Sequence, residues 1–101
     1  MKKNLYIPKK LLNEKKYKNL GLNSVLIYSY FLDKILNNEA KKDQKGYLYL
    51  NVSLDEIEDF FKFKLSRSTI IKSNLKLIKH DLLKIKKRGK FKKNIYYLLK
   101  P

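Results

Sequence analysis

Residues 53–98 carry the pattern that most limits what this chain can become. Ser53-Leu54-Asp55-Glu56 is a capping box: the serine oxygen can accept the backbone N–H three residues on, and Glu56 is placed to return the bond. It opens a short helix with Leu54, Ile57, Phe60 and Phe61 on its apolar side. A turn over residues 62–65 leads to a second capping residue, Ser66, and to a longer helix that ends near His80. Ile71, Leu75, Ile78 and Leu82 fall at i, i+4, i+7 and i+11, which predicts them as its buried stripe. Asp81 enters the left-handed region more easily than most residues and suits the helix end. LLKIKK then reads as a strand with Leu83 and Ile85 inward, Arg88-Gly89-Lys90 as a turn in which glycine supplies a positive φ, and NIYYLL as the returning strand.

Upstream, residues 20–37 give the strongest helix pattern. Ser24 is the expected cap, and Val25, Tyr28, Phe31, Leu32, Ile35 and Leu36 keep the 3.6-residue period. Residues 38–46 are polar and predict a loop. YLYLNV alternates, with Leu48, Leu50 and Val52 on one face and Tyr47, Tyr49 and Asn51 on the other, as in a half-buried strand. Residues 1–19 predict an N-terminal arm or short helix behind Pro8, and residues 20–101 the domain proper. Whether the arm dimerises or packs on its own domain is left open. The order helix, strand, helix, turn, helix, strand, turn, strand predicts an α+β fold. It is that of a winged helix-turn-helix: three main helices, a small antiparallel sheet and a basic β-hairpin wing.

A chain of 101 residues supports one modest core. It has no cysteine and a single histidine, His80, which excludes disulfides, thiolate metal sites and histidine clusters. No apolar run approaches the roughly 20 residues of a membrane helix, so a cytoplasmic protein without membrane partners is expected. The paired carboxylates serve a helix start, where they favour the dipole. Glycine is too scarce for a phosphate loop. A tyrosine nucleophile at Tyr96 or Tyr97 would call for a metal-binding histidine cluster that this chain cannot supply. The sequence therefore predicts no catalytic residue, no metal and no cofactor. His80 reads as a helix C-terminal residue favourable to the dipole.

The formal net charge is +16, with a pI near 10.0. Richness in Lys, Asn, Ile and Tyr is what an A·T-rich genome produces, but it does not explain the distribution. Residues 47–61 hold four acids (Asp55, Glu56, Glu58, Asp59) and no base, whereas residues 62–101 hold fourteen Lys or Arg and one acid, Asp81. That asymmetry points to a polyanion partner, DNA above all. In a winged helix the start of the third helix faces base edges. Here that start supplies Ser66, Arg67, Ser68, Thr69 and Lys72, with Lys76 and Lys79 further along. Arg67 can offer two donor bonds to guanine, and the hydroxyls with the free N–H groups suit phosphate. Residues 84–93 hold seven bases in ten: Lys84, Lys86, Lys87, Arg88, Lys90, Lys92 and Lys93. A hairpin tip of that kind can follow a backbone or enter a minor groove. The tyrosines Tyr47, Tyr49, Tyr96 and Tyr97, with Phe91, can either pack inward or stack on the bases of a single strand, with Tyr96 counted among the candidate contacts.

The succession YIPKKLL, KYKNLGLNSVLIYSYFLDK, KGYLYLNVSLDEIEDFF and LIKHDLLKIKKRGKFKKNIYYL resembles the N-terminal winged-helix domain of RepA-type plasmid replication initiators of low-GC Gram-positive bacteria. The resemblance covers nearly the whole chain. It implies a DNA helix over residues 66–76, a wing over residues 86–93, origin binding, and commonly a dimer or higher assembly. Homodimerisation and replication proteins are thus further expected partners. Asp81 departs from the pattern by standing where such sequences usually place glycine. Relatives usually carry a further C-terminal domain, and a stand-alone version is expected to keep the fold and DNA affinity without origin-specific initiation. Three rival readings use the same residues: a sequence-tolerant single-strand-binding accessory protein of replication, a transcriptional repressor, and an inhibitor docking on an acidic protein partner.

Overall fold

The computed structural model describes residues 5–89 and 92–101. Helix α1 (Lys9–Asn13) and a 3₁₀ turn (Lys15–Tyr17) precede the central helix α2 (Leu22–Leu36). Strands β1 (Lys41–Lys42) and β2 (Leu48–Val52) follow, then α3 (Leu54–Phe60), α4 (Arg67–Lys79), β3 (Leu83–Lys86) and β4 (Asn94–Leu98). The strands form one antiparallel sheet in the order β1-β2-β4-β3. The chain has the α+β winged-helix order read from the sequence. One strand was not anticipated: β1 lies in the stretch predicted as loop, where Lys41 and Lys42 extend the sheet beside Tyr49 and Leu48.

The core forms where α2 meets α4 and the sheet. Leu20, Ile27, Tyr30, Phe31, Leu50, Ile57, Ile70, Leu77, Leu82 and Tyr96 are buried together. Each aliphatic side chain fully buried there stabilises by about 1.5–3 kcal/mol relative to exposure. Tyr96 faces Leu50 across β2 and Ile85 across β3, and its ring stacks on Phe31 with centroids 4.9 Å apart. Ahead of α2, Leu11 and Tyr17 are buried in the same cluster. Leu48, expected inward with Leu50 and Val52, is exposed instead. The β2–β4 ladder covers Leu50 to Val52 only, so Leu48 projects beyond the core beside Lys42.

Of the four helices, α3 and α4 start on a side-chain cap. Ser53 Oγ accepts from the Glu56 N–H at 3.1 Å, and Ser66 Oγ from the Thr69 N–H at 3.2 Å, as the sequence predicts. The Glu56 carboxylate does not complete the box but pairs with Lys93. Helix α2 is capped by Gly21, not Ser24, which is buried inside the helix. Gly21 sits at φ +84° and ψ 148°, a conformation that side chains with a Cβ rarely adopt.

The ends of α2, α3 and α4 share one device. After each helix a residue turns left-handed: Asn38 at φ 62°, Lys62 at φ 52° and Asp81 at φ 57°. In α4 the Leu82 N–H bonds to the Leu77 carbonyl and the Asp81 N–H to that of Ile78, the paired bonds of a Schellman motif. Phe63 to Glu58 with Lys62 to Asp59 repeats the pattern in α3, and Glu39 to Lys34 with Asn38 to Ile35 in α2. The left-handed Asp81 is the one the sequence predicts.

The stripe predicted as the buried face of α4 is largely exposed. Ile70, Ser73, Asn74 and Leu77 face the core, while Ile71, Leu75 and Ile78 are 42%, 60% and 38% exposed. Only Leu82 of the predicted stripe is buried, and it lies past the helix end. The helix carries apolar residues on two neighbouring faces, and packing against α2 buries the one that includes Ser73 and Asn74.

Candidate nucleic-acid interface

The start of α4 is organised by its hydroxyls. Ser66 Oγ donates to Thr69 Oγ1 at 2.9 Å and lies 3.2 Å from Ser68 Oγ, which ties the three side chains to the N-terminal turn. Ser68, Lys72 and Lys79 are exposed on the outer side of the helix with Ile71 and Leu75. Thr69, Lys72, Ser73 and Lys76 border the start of α2, and the Lys76 ammonium reaches over Gly21.

Arg67 stands differently from the expectation that it is free for a base. Its Nε donates to Glu58 Oε1 at 2.7 Å, its Nη2 lies 2.6 Å from the same oxygen, and Nη2 also donates to Asp55 Oδ1. Hydrogen bonds to Glu58 and then to Asp55 push the guanidinium pKa further above its ordinary value. The acids that the sequence assigns to helix-start chemistry thus also hold the arginine of the next helix. Nothing in the spacing of residues 55–58 shows this, because it depends on how α3 turns into α4.

In the hairpin, Lys86 closes β3, Lys87 and Arg88 follow exposed, and Gly89 takes φ +96° as expected of the turn. Lys92 and Lys93 are exposed ahead of β4, with Lys93 paired to Glu56. Lys90 and Phe91 lie outside the described residues. Through Asp55 and Glu58 on one side and Glu56 on the other, the first turns of α3 link the start of α4 to the hairpin.

Tyr96 is corrected as a contact residue. It is 2% exposed between Leu50 and Ile85, and burial pushes its hydroxyl pKa up from the ordinary 10.0. A base cannot reach that ring without opening the core. Tyr97 is half-buried and donates to Asp43 Oδ2 at 3.0 Å, whereas Tyr47 is exposed. His80 caps α4 with Nδ1 2.8 Å from the Lys76 carbonyl oxygen. Among the described residues, no group of three His, Cys, Asp or Glu side chains could hold a metal. Among the described residues, no helix is long and apolar enough to cross a membrane.

With this geometry in view, three solved structures align with 99% of the chain. An N-terminal domain of a DNA-binding protein shares 28% identity at a TM-score of 0.78 over 76% of that chain. A Rep–DNA complex shares 29% at 0.78 over 77%, and an MDR initiator 26% at 0.77 over 78%. The chain resembles the N-terminal domains of replication initiators. The likeness read from YIPKKLL and the segments after it therefore extends to the whole three-dimensional arrangement of this initiator-like domain. No protein-family model matches the chain, and no curated protein does.

Proposed function

We propose that this protein is a non-catalytic DNA-binding domain acting in the replication of a plasmid or another mobile element. On this reading α4 enters the major groove of double-stranded origin DNA while the basic hairpin follows the flanking backbone. The observation that carries it is the match of 99% of the chain, at 29% identity, to a Rep–DNA complex. Lys72, Lys76, Lys79, Lys86, Lys87, Arg88, Lys90, Lys92 and Lys93 neutralise phosphates, with Ser66, Ser68 and Thr69 at the helix start.

Base reading falls to Arg67 and to the outer face of α4. Exposed Ile71 and Leu75 beside Lys72 suit the methyl groups of thymine, which favours an A·T-rich site. Stacking on a single strand is disfavoured by the burial of Tyr96 and the bond between Tyr97 and Asp43. The test is selection from a random duplex library. An enriched site is expected, and Arg67→Ala should lose about 1–3 kcal/mol of discrimination at one base of it. Enrichment of nothing, or equal weakening on every sequence, overturns the assignment of base reading.

A further inference from the structure

Arg67 is the one arginine of α4, and the structure pins it to α3. The two acids that hold it are unlike. Glu58 has a side chain only 18% exposed, and its backbone carbonyl accepts the Phe63 N–H, so it is fixed at the turn between the helices. Its single oxygen Oε1 takes the Nε edge of the guanidinium. The Asp55 side chain is 84% exposed in the first turn of α3 and takes Nη2 from the solvent side. A guanidinium has five N–H donors in a fixed plane, and a guanine contact uses two that lie parallel. With the Nε edge held by Glu58, the Nη1–Nη2 end remains, and Asp55 competes for half of it.

We propose that these two carboxylates set the sequence discrimination of Arg67: Glu58 is a positioning residue that aims the guanidinium, and Asp55 is a competitor that only a two-bond base contact displaces. The inference rests on the DNA reading above. In a non-specific complex a lone phosphate leaves Arg67 with Asp55, so the arginine adds nothing to affinity for arbitrary sequence. At the right base Asp55 is released and Glu58 keeps the plane of the guanidinium. Removing Asp55 therefore frees Arg67 to grip any phosphate, and removing the charge of Glu58 lets the plane wander.

The experiment compares wild type, Asp55→Asn, Glu58→Gln and Asp59→Asn on a random-sequence duplex and on the duplex selected by wild type, after thermal melts show that each variant is folded. Asp59→Asn controls for charge alone, since Asp59 lies exposed on the same helix and makes no ion pair among the described residues. Asp55→Asn should tighten random-duplex binding about two- to fivefold beyond Asp59→Asn, with discrimination falling accordingly. Glu58→Gln should change random binding no more than Asp59→Asn does, and lose discrimination. In an Arg67→Ala background, the Asp55→Asn effect should shrink to that of Asp59→Asn. Equal effects of the two aspartates, or full discrimination in Glu58→Gln, overturn this inference while leaving DNA binding intact. Wild type that binds neither duplex overturns the DNA reading and this inference with it.

Discussion

Tyr28 and Asp43 show how single side chains secure the ends of this sheet. The Tyr28 hydroxyl, on α2, donates to the Leu99 carbonyl at 2.8 Å, and burial, helped by Tyr17, pushes its pKa up to about 12. Tyr28→Phe removes that donor and should cost about 1 kcal/mol in chemical denaturation. Asp43 lies in the turn between β1 and β2. Partial desolvation pushes its pKa up, but the N–H of Tyr47, the Tyr97 hydroxyl and the N–H of Lys45 outweigh it and hold the pKa below the ordinary 3.8. A folded-state pKa that is depressed stabilises above the unfolded value and stops doing so as pH falls through the folded one. The turn should therefore be intact above pH 3.8 and loosen only in stronger acid. Loss of amide protection at Lys45 and Tyr47, relative to intrinsic exchange at the same pH, under those conditions but not at neutral pH checks this. The caps at Ser53 and Ser66 and the left-handed Asp81 are legible in the sequence because they depend on residues one helical turn away. The fates of the tyrosines are not. Which of Tyr96 and Tyr97 points inward depends on the pairing of Tyr96 with Leu50, from a strand far off in the chain, as well as with Ile85 across the hairpin.

Among the elements, α4 is the most instructive. Ile70 and Leu77 point into the core while Ile71, Leu75 and Ile78 point out, so two apolar stripes run side by side about 100° apart. Periodicity alone favours the longer stripe, since Ser73 and Asn74 lie in the other. Packing on α2 settles it the other way. Leu77→Ala should cost about 2–5 kcal/mol, whereas Leu75→Ala should change stability by under about 0.5 kcal/mol while weakening binding to the selected duplex. Similar losses of stability for both would contradict the burial described. Helix ends follow a second rule: Lys62 holds a left-handed conformation with a full side chain. Lys62→Gly should stabilise the fold by about 1 kcal/mol, seen as a higher denaturation midpoint. The helix-turn-helix and hairpin order was readable from caps, turns and periods, whereas the contact of α3 acids with Arg67 and Lys93 required the angle between elements.

For the whole molecule, charge placement matters more than its total. The net +16 is concentrated on the C-terminal half, in α4 and around the hairpin, and three acids of α3 sit between them, Asp55 and Glu58 paired to Arg67 and Glu56 to Lys93. A surface built so should bind DNA with strong salt dependence, because each neutralised phosphate releases a counterion. The most direct measurement is fluorescence anisotropy with matched single-stranded and double-stranded oligonucleotides of random sequence, at about 150 mM salt and then across a salt series. The account predicts duplex binding at least as tight as single-strand binding, with the logarithm of affinity falling linearly with log salt. No binding to either, or a clear preference for the single strand, would contradict it.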